Sequence, residues 1–173
     1  KEEPFKANVT LFDTPWNKGT KLMHIGIKGY EVKKQETPRA NLVFLIDTSG
    51  SMLEPNKLPL VQNALKLMLD AMSPDDTVAI VTYAGSAGTA LAPTKVKDKA
   101  KIVSAIDALN AGGSTAGAEG IRQAYALAEQ NFDKKGVNRV LLATDGDFNV
   151  GITDEGELKS FIERKRESGI FLS

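Results

Sequence analysis

The sequence predicts an α/β domain built on a doubly wound, mostly parallel sheet flanked by helices, with an N-terminal β-hairpin. Two observations carry that prediction. Short apolar runs at residues 42–46, 77–83, 139–144 and 170–172 alternate with amphipathic helical segments, the signature of βαβ units. Each run is also apolar almost throughout, as strands covered by helices on both faces must be.

In chain order, residues 5–12 and 21–32 alternate apolar and polar with a period of two. The turn-rich Asp13-Thr14-Pro15-Trp16-Asn17-Lys18-Gly19 joins them, so an antiparallel hairpin is the simplest reading. The polar segment Gln35-Glu36-Thr37-Pro38-Arg39 then leads into the α/β domain, which divides the chain into residues 1–40 and 41–173. The first helix is expected over 57–72, with Pro59 in its first turn and Leu60, Ala64, Leu67 and Leu69 as its core-facing positions. An edge strand is expected near 89–91. Helices follow at 97–109 (Ala100, Val103, Ile106, Leu109), 115–132 (Ile121, Ala124, Leu127, Ala128) and 155–166 (Leu158, Phe161, Ile162). The chain starts at Lys1 and stops within a strand-like run, Gly169-Ile170-Phe171-Leu172-Ser173. The expectation is a piece of a longer protein whose C-terminal strand and helix have been truncated, leaving an apolar sheet edge open.

Composition narrows the function classes. Lys+Arg and Asp+Glu stand at 22 each, so the chain lacks the basic excess of a general nucleic-acid binder. With no cysteine, disulfides, thiol catalysis and thiolate metal sites are all excluded. No stretch reaches the roughly 20 apolar residues that span a bilayer.

Ligands of a doubly wound sheet bind outside the carboxyl ends of its strands. Three oxygen-rich loops stand at that edge: Asp47-Thr48-Ser49-Gly50-Ser51 after the first strand, Gly112-Gly113-Ser114-Thr115 before a helix, and Thr144-Asp145-Gly146-Asp147 after the strand at 139–144. Singly, each reads as a helix cap or an ordinary turn. Hard oxygens delivered together suit Mg²⁺, Ca²⁺ or Mn²⁺ rather than zinc or copper.

Taken together, Asp47, Ser49, Ser51, Thr115 and Asp145 resemble the metal-ion-dependent adhesion site (MIDAS) of von Willebrand factor type A domains. The family pattern is D-x-S-x-S, then a separate Thr, then a separate Asp. The resemblance covers about residues 41–173. It narrows to a bacterial, envelope-associated subgroup through Asn41-Leu42-Val43-Phe44-Leu45-Ile46-Asp47, Thr82-Tyr83-Ala84-Gly85 and the segment from Asn138 to Gly151. The resemblance implies a Rossmann-like fold and a divalent cation, Mg²⁺ foremost with Mn²⁺ or Ca²⁺ as substitutes. It also implies an adhesion or scaffold role, and a bacterial periplasmic or surface location with a possible lipoprotein anchor in the full-length protein. Ser49, Ser51 and Thr115 would bind the ion directly, with Asp47 and Asp145 holding it through waters or by alternating contact. A shell rich in neutral hydroxyls leaves the ion's charge under-compensated, so a Glu or Asp carboxylate of a protein partner is the expected outside ligand. A monomer that does not insert into a membrane is expected.

Enzyme readings fit less well. Ser51, Ser86 and Ser114 all lack the G-x-S-x-G spacing of a hydrolase elbow. His24, the only histidine, falls in the hairpin and reads as an ordinary strand residue, which removes a Ser-His-Asp triad. An aspartyl phosphotransferase would need a second Asp where Ser49 stands, and the Gly112 loop lacks the Lys-Ser/Thr of a P-loop. Metal-assisted hydrolysis and a structural domain with an idle metal site are the alternatives that remain. Asp147 reads equally as a further carboxylate behind the ion or as a solvated turn residue. Asp75-Asp76 read as the turn before a strand, and Glu54 as a solvated loop charge.

Overall fold

The computed structural model describes residues 5–29, 38–84, 87–112, 117–146 and 155–173. Two compact units divide the chain, Lys1–Thr37 and Pro38–Ser173.

The first unit is a two-stranded antiparallel sheet of β1 (Phe5–Asp13) and β2 (Lys21–Gly29), paired from Phe5 with Gly29 to Asp13 with Lys21. Residues directly opposite one another share a face. One face therefore carries Ala7 with Ile27, Val9 with Ile25 and Leu11 with Met23, while the other carries Lys6 with Lys28 and Thr10 with His24. The turn closes through Thr14, whose hydroxyl donates to the Asn17 carbonyl at 2.5 Å, and through the Asn17 side chain, which accepts from Gly19 N–H at 2.9 Å. The expected second strand ran to residue 32. The observed strand ends at Gly29, and 30–32 fall outside the described residues.

The second unit is a five-stranded sheet in the order β5-β4-β3-β6-β7. Its strands are β3 (Ala40–Asp47), β4 (Thr77–Tyr83), β5 (Ala87–Lys95), β6 (Val137–Ala143) and β7 (Ile170–Leu172). β3 runs parallel to β4 on one side and to β6 on the other, and β7 runs parallel to β6; β5 alone is antiparallel. The edge strand expected at 89–91 is thus a nine-residue element. Gly88 and Pro93 hide it in the sequence, and an edge strand tolerates both. Helices α1 (Leu58–Ala71), α2 (Lys99–Asp107), α3 (Gly117–Gln130) and α4 (Glu155–Glu167) complete the unit.

Alternation along β3 feeds two cores. Phe44 and Ile46 pack with Leu58, Leu65 and Leu69 of α1 and Ile102 and Ile106 of α2. Val43 and Leu45 pack on the opposite face with Ile121, Ala124, Tyr125 and Ala128 of α3. Gly120 lets α3 press close, because a Cβ there would stand 3.0 Å from the Tyr83 Cβ and 3.1 Å from Leu45 Cδ1. The phase expected for α1 needs correction. Leu60, Ala64 and Leu67 are exposed, Leu67 at 72%, and the buried stripe is Leu58, Leu65 and Leu69 flanked by Val61, Met68 and Met72. Leucines occupy both sides of this helix, so spacing alone admits either phase, and only the sheet beneath selects one.

Polar groups fix the end of the sheet opposite the loops named above. Asn41 and Asn138 lie side by side in the β3–β6 register, and Asn41 Nδ2 donates to Asn138 Oδ1 and to the Ala128 carbonyl, each at 3.0 Å. Asp76 is buried and accepts Ala40 N–H and Ser73 N–H, both at 2.8 Å, so its carboxylate ties the turn before β4 to the first residue of β3.

Candidate functional site

In the order β5-β4-β3-β6-β7, successive crossovers run one way from β3 to β4 and the chain then returns to β6 on the other side. The carboxyl ends of β3 and β6 therefore flank the topological switch point, where open α/β sheets bind their ligands. β3 ends in Asp47, and β6 runs directly into Thr144 and Asp145.

Asp47 is fully buried, Ser49 is 4% exposed and Ser51 is exposed, so the motif descends from solvent into the sheet. The Asp47 carboxylate organises the loop: Oδ1 accepts Ser49 N–H at 2.8 Å and Oδ2 accepts the Thr144 hydroxyl at 3.3 Å. That second bond joins the loops after β3 and β6. A single 3-10 turn, Gly50–Leu53, then folds Ser51 back until its Oγ lies 3.0 Å from Ser49 Oγ. Two hydroxyls in hydrogen-bond contact are also spaced like neighbouring ligands of a six-coordinate ion at about 2.0–2.1 Å. Thr48 secures the loop from below, its N–H donating to the Tyr83 carbonyl at 3.0 Å and its own carbonyl accepting Gly112 N–H at 2.8 Å.

Asp145 comes from the other side. Its side chain is only 13% exposed, and Oδ2 accepts from Lys57 Nζ at 2.9 Å. The same ammonium donates to the Ser51 carbonyl at 3.0 Å, so Lys57 links the two loops. Gly146 follows at φ +109°, a conformation that glycine adopts without strain, and its N–H donates to Thr144 Oγ1 at 3.2 Å. Beneath the site, burial pushes the Tyr83 phenol well above its usual pKa, and the nearby Asp47 charge adds to the shift.

Of the residues expected from the sequence, Asp47, Ser49, Ser51 and Asp145 converge on this edge. Thr115, Asp147 and Ser114 lie outside the described residues. Glu54 is exposed and His24 sits in β2. The sequence reading missed Thr144, Lys57 and Tyr83. Thr144 stood one residue before an expected ligand; Lys57 had no signal beyond being a lone cation between Ser51 and the helix. Among the described residues no cluster of three or more His, Cys, Asp or Glu could hold a metal. The donors gathered here are two carboxylates and two serine hydroxyls, which fit a hard, oxygen-seeking cation and not a soft one.

A family model described as the von Willebrand factor type A domain matches residues 42–147. The uncharacterised protein YfbK of Escherichia coli is 48% identical over 170 residues, covering 98% of this chain and 30% of that protein. Among solved structures, proximal thread matrix protein 1 from the mussel byssus, described as having a zinc-occupied MIDAS motif, superposes with a TM-score of 0.62 at 27% identity, covering 79% of this chain and 35% of that one. An aerotolerance-related membrane protein from Bacteroides fragilis superposes with a TM-score of 0.55 at 22% identity, covering 77% and 65% of the two chains. The chain spans about a third or less of the length of the curated relatives it matches first.

Proposed function

We propose that this chain, which belongs to the von Willebrand factor type A domain family, is a protein-binding module that offers a divalent cation to an acidic side chain of its partner. The observation that carries the reading is the convergence of Asp47, Ser49, Ser51 and Asp145 at the switch point between β3 and β6. Those four residues, with Thr115 entering from the loop before α3, would hold the ion. When bound, it supplies an open coordination position that attracts an anionic oxygen. Mg²⁺ is the favoured ion because the set is all oxygen and only partly charged.

The protein's own part is to orient and to shield. Asp47 fixes the two serines through the turn it accepts, Thr144 couples that turn to β6, and the buried Asp47 and Tyr83 would form the floor beneath a bound ion. Ser51 is left exposed at the rim, where a partner's carboxylate can approach. This is binding chemistry, and we read the module as non-enzymatic: the chain's one histidine stands in the hairpin, and among the described residues the two serine hydroxyls bond to each other rather than to a base. We place the module at the bacterial cell envelope, a reading supported by the fold it shares with the Bacteroides membrane protein. No described helix is long and apolar enough to cross a membrane.

The test is capture from a bacterial envelope extract on immobilised chain, with Mg²⁺ or with EDTA, for wild type and Asp47→Ala. Proteins retained by wild type in Mg²⁺ are expected to be lost in EDTA and absent from the variant. Retention that ignores both changes would refute the reading.

A further inference from the structure

We infer that Lys57 is a built-in competitor for the cation site: its ammonium group occupies Asp145 and must swing away before a divalent ion can use that carboxylate. The inference rests on the metal-binding reading above and adds a regulatory part to it. Lys57 is the residue immediately before α1, and it reaches back across the site instead of outward to solvent. Its Nζ donates to Asp145 Oδ2 at 2.9 Å and to the Ser51 carbonyl at 3.0 Å. One bond therefore engages an expected ligand from the β6 side, and the other the backbone of an expected ligand from the β3 side. The side chains of Lys57 and Asp145 are 28% and 13% exposed, so this ion pair is substantially covered.

Charge makes the two occupants exclusive. A dication drawn to Asp145 would sit within a few ångströms of an ammonium already bonded there, and like charges at that range repel strongly where water is thin. Escape is easy for Lys57: its ammonium rides on a flexible four-carbon stem and keeps a path to solvent. Without the ion, the lysine holds the two loops together and compensates Asp145. With the ion, the same charge is released at the rim, beside the place where an acidic partner arrives. A lysine-closed state populated about 90% of the time would weaken apparent metal affinity about tenfold.

The experiment titrates the full chain with Mn²⁺, reading free ion by electron paramagnetic resonance, for wild type, Lys57→Met, Lys57→Arg and Asp47→Ala. Lys57→Met is expected to bind about tenfold tighter than wild type, Lys57→Arg to stay within about threefold of it, and Asp47→Ala not to bind. A second reading needs no charge-removing variant: in the ¹⁵N spectrum of lysine side chains, the Lys57 Nζ signal of wild type, assigned through Lys57→Arg, should move on saturation with diamagnetic Mg²⁺. Wild type that binds while Lys57→Met binds no tighter, or an unmoved Lys57 signal at saturation, overturns the competition and leaves the metal site standing. Failure of both wild type and Lys57→Met to bind Mn²⁺ overturns the metal reading, and this inference with it.

Discussion

Replacing Asp47 by Asn separates what the carboxylate does for the fold from what it does for an ion. In the metal-free protein the change should be nearly silent. Asn can keep the acceptor for Ser49 N–H and can donate to Thr144 Oγ1, so both hydrogen bonds have successors. The loss of charge-assisted bonding is offset by the relief of a fully buried charge, and the net change should stay within about 1 kcal/mol. With the ion the two proteins diverge. Free metal at a hundred times its Kd stabilises a folded site by about 2.7 kcal/mol. The unit Pro38–Ser173 should unfold with an entropy of about 0.29 kcal/mol/K, at roughly 2.1 cal/mol/K per residue, so wild type should gain about 9 °C in Tm. Scanning calorimetry in EDTA and in Mg²⁺ measures both effects. The expected pattern is equal melting, within about 3 °C, in EDTA and a rise in Mg²⁺ confined to wild type. A rise of the same size in Asp47→Asn would refute the role given to this carboxylate, and a wild type indifferent to Mg²⁺ and Mn²⁺ would refute the site.

Three further outcomes are expected. Gly136→Ala would place a Cβ 2.5 Å from the Arg39 carbonyl, which accepts Val137 N–H at the start of the β3–β6 pairing, so urea unfolding should show a loss of about 2–3 kcal/mol. Gly112→Ala, with nothing within 4 Å of the new Cβ, should change little; equal effects would sink the steric argument. Asp76→Ala leaves the N–H groups of Ala40 and Ser73 without their acceptor and should cost about 2–4 kcal/mol by the same measurement, whereas a loss below about 1 kcal/mol would mean water replaces the carboxylate. Burial pushes the Tyr125 phenol up from 10.0 to about 12. The fold favours the neutral form, so this contribution is complete below pH 10 and is lost as pH rises through about 12. Tyrosinate absorbance of wild type minus Tyr125→Phe should then appear near pH 12, and its appearance near pH 10 would contradict the burial.

What the sequence made legible follows from how physics writes into it. Strands β3 and β4 are buried almost throughout, so they stand out as nearly unbroken apolar runs, β6 shows the shorter apolar run 140–143, and the loops at their ends follow by topology. Asp47, Ser49 and Ser51 could be grouped because neighbours in sequence share one turn, and Asp145 because it ends the strand beside β3. The facing side of α1 could not be chosen from Leu60 and Leu67 alone, since a helix with leucines on two sides needs its sheet to choose between them. Lys57 was silent for another reason: its partner, Asp145, is 88 residues away, and no local pattern marks a long side chain that folds back. The Asn41–Asn138 pair was equally invisible, because the register that joins them exists only once β3 and β6 are side by side.

The hairpin carries a consequence of its own. Val9 and Leu11 of β1 and Met23, Ile25 and Ile27 of β2 share one face, and each is more than half exposed. Two strands alone seldom hold together in water without something against their apolar side. On the metal-binding reading proposed above, contacts made by this chain would be of two chemically separable kinds. Adhesion at the end of β3 should answer to chelators and ignore mild detergent, while adhesion at the hairpin should answer to detergent and ignore chelators. Proteins washed off by one treatment or the other would thus report which of the two units was holding them.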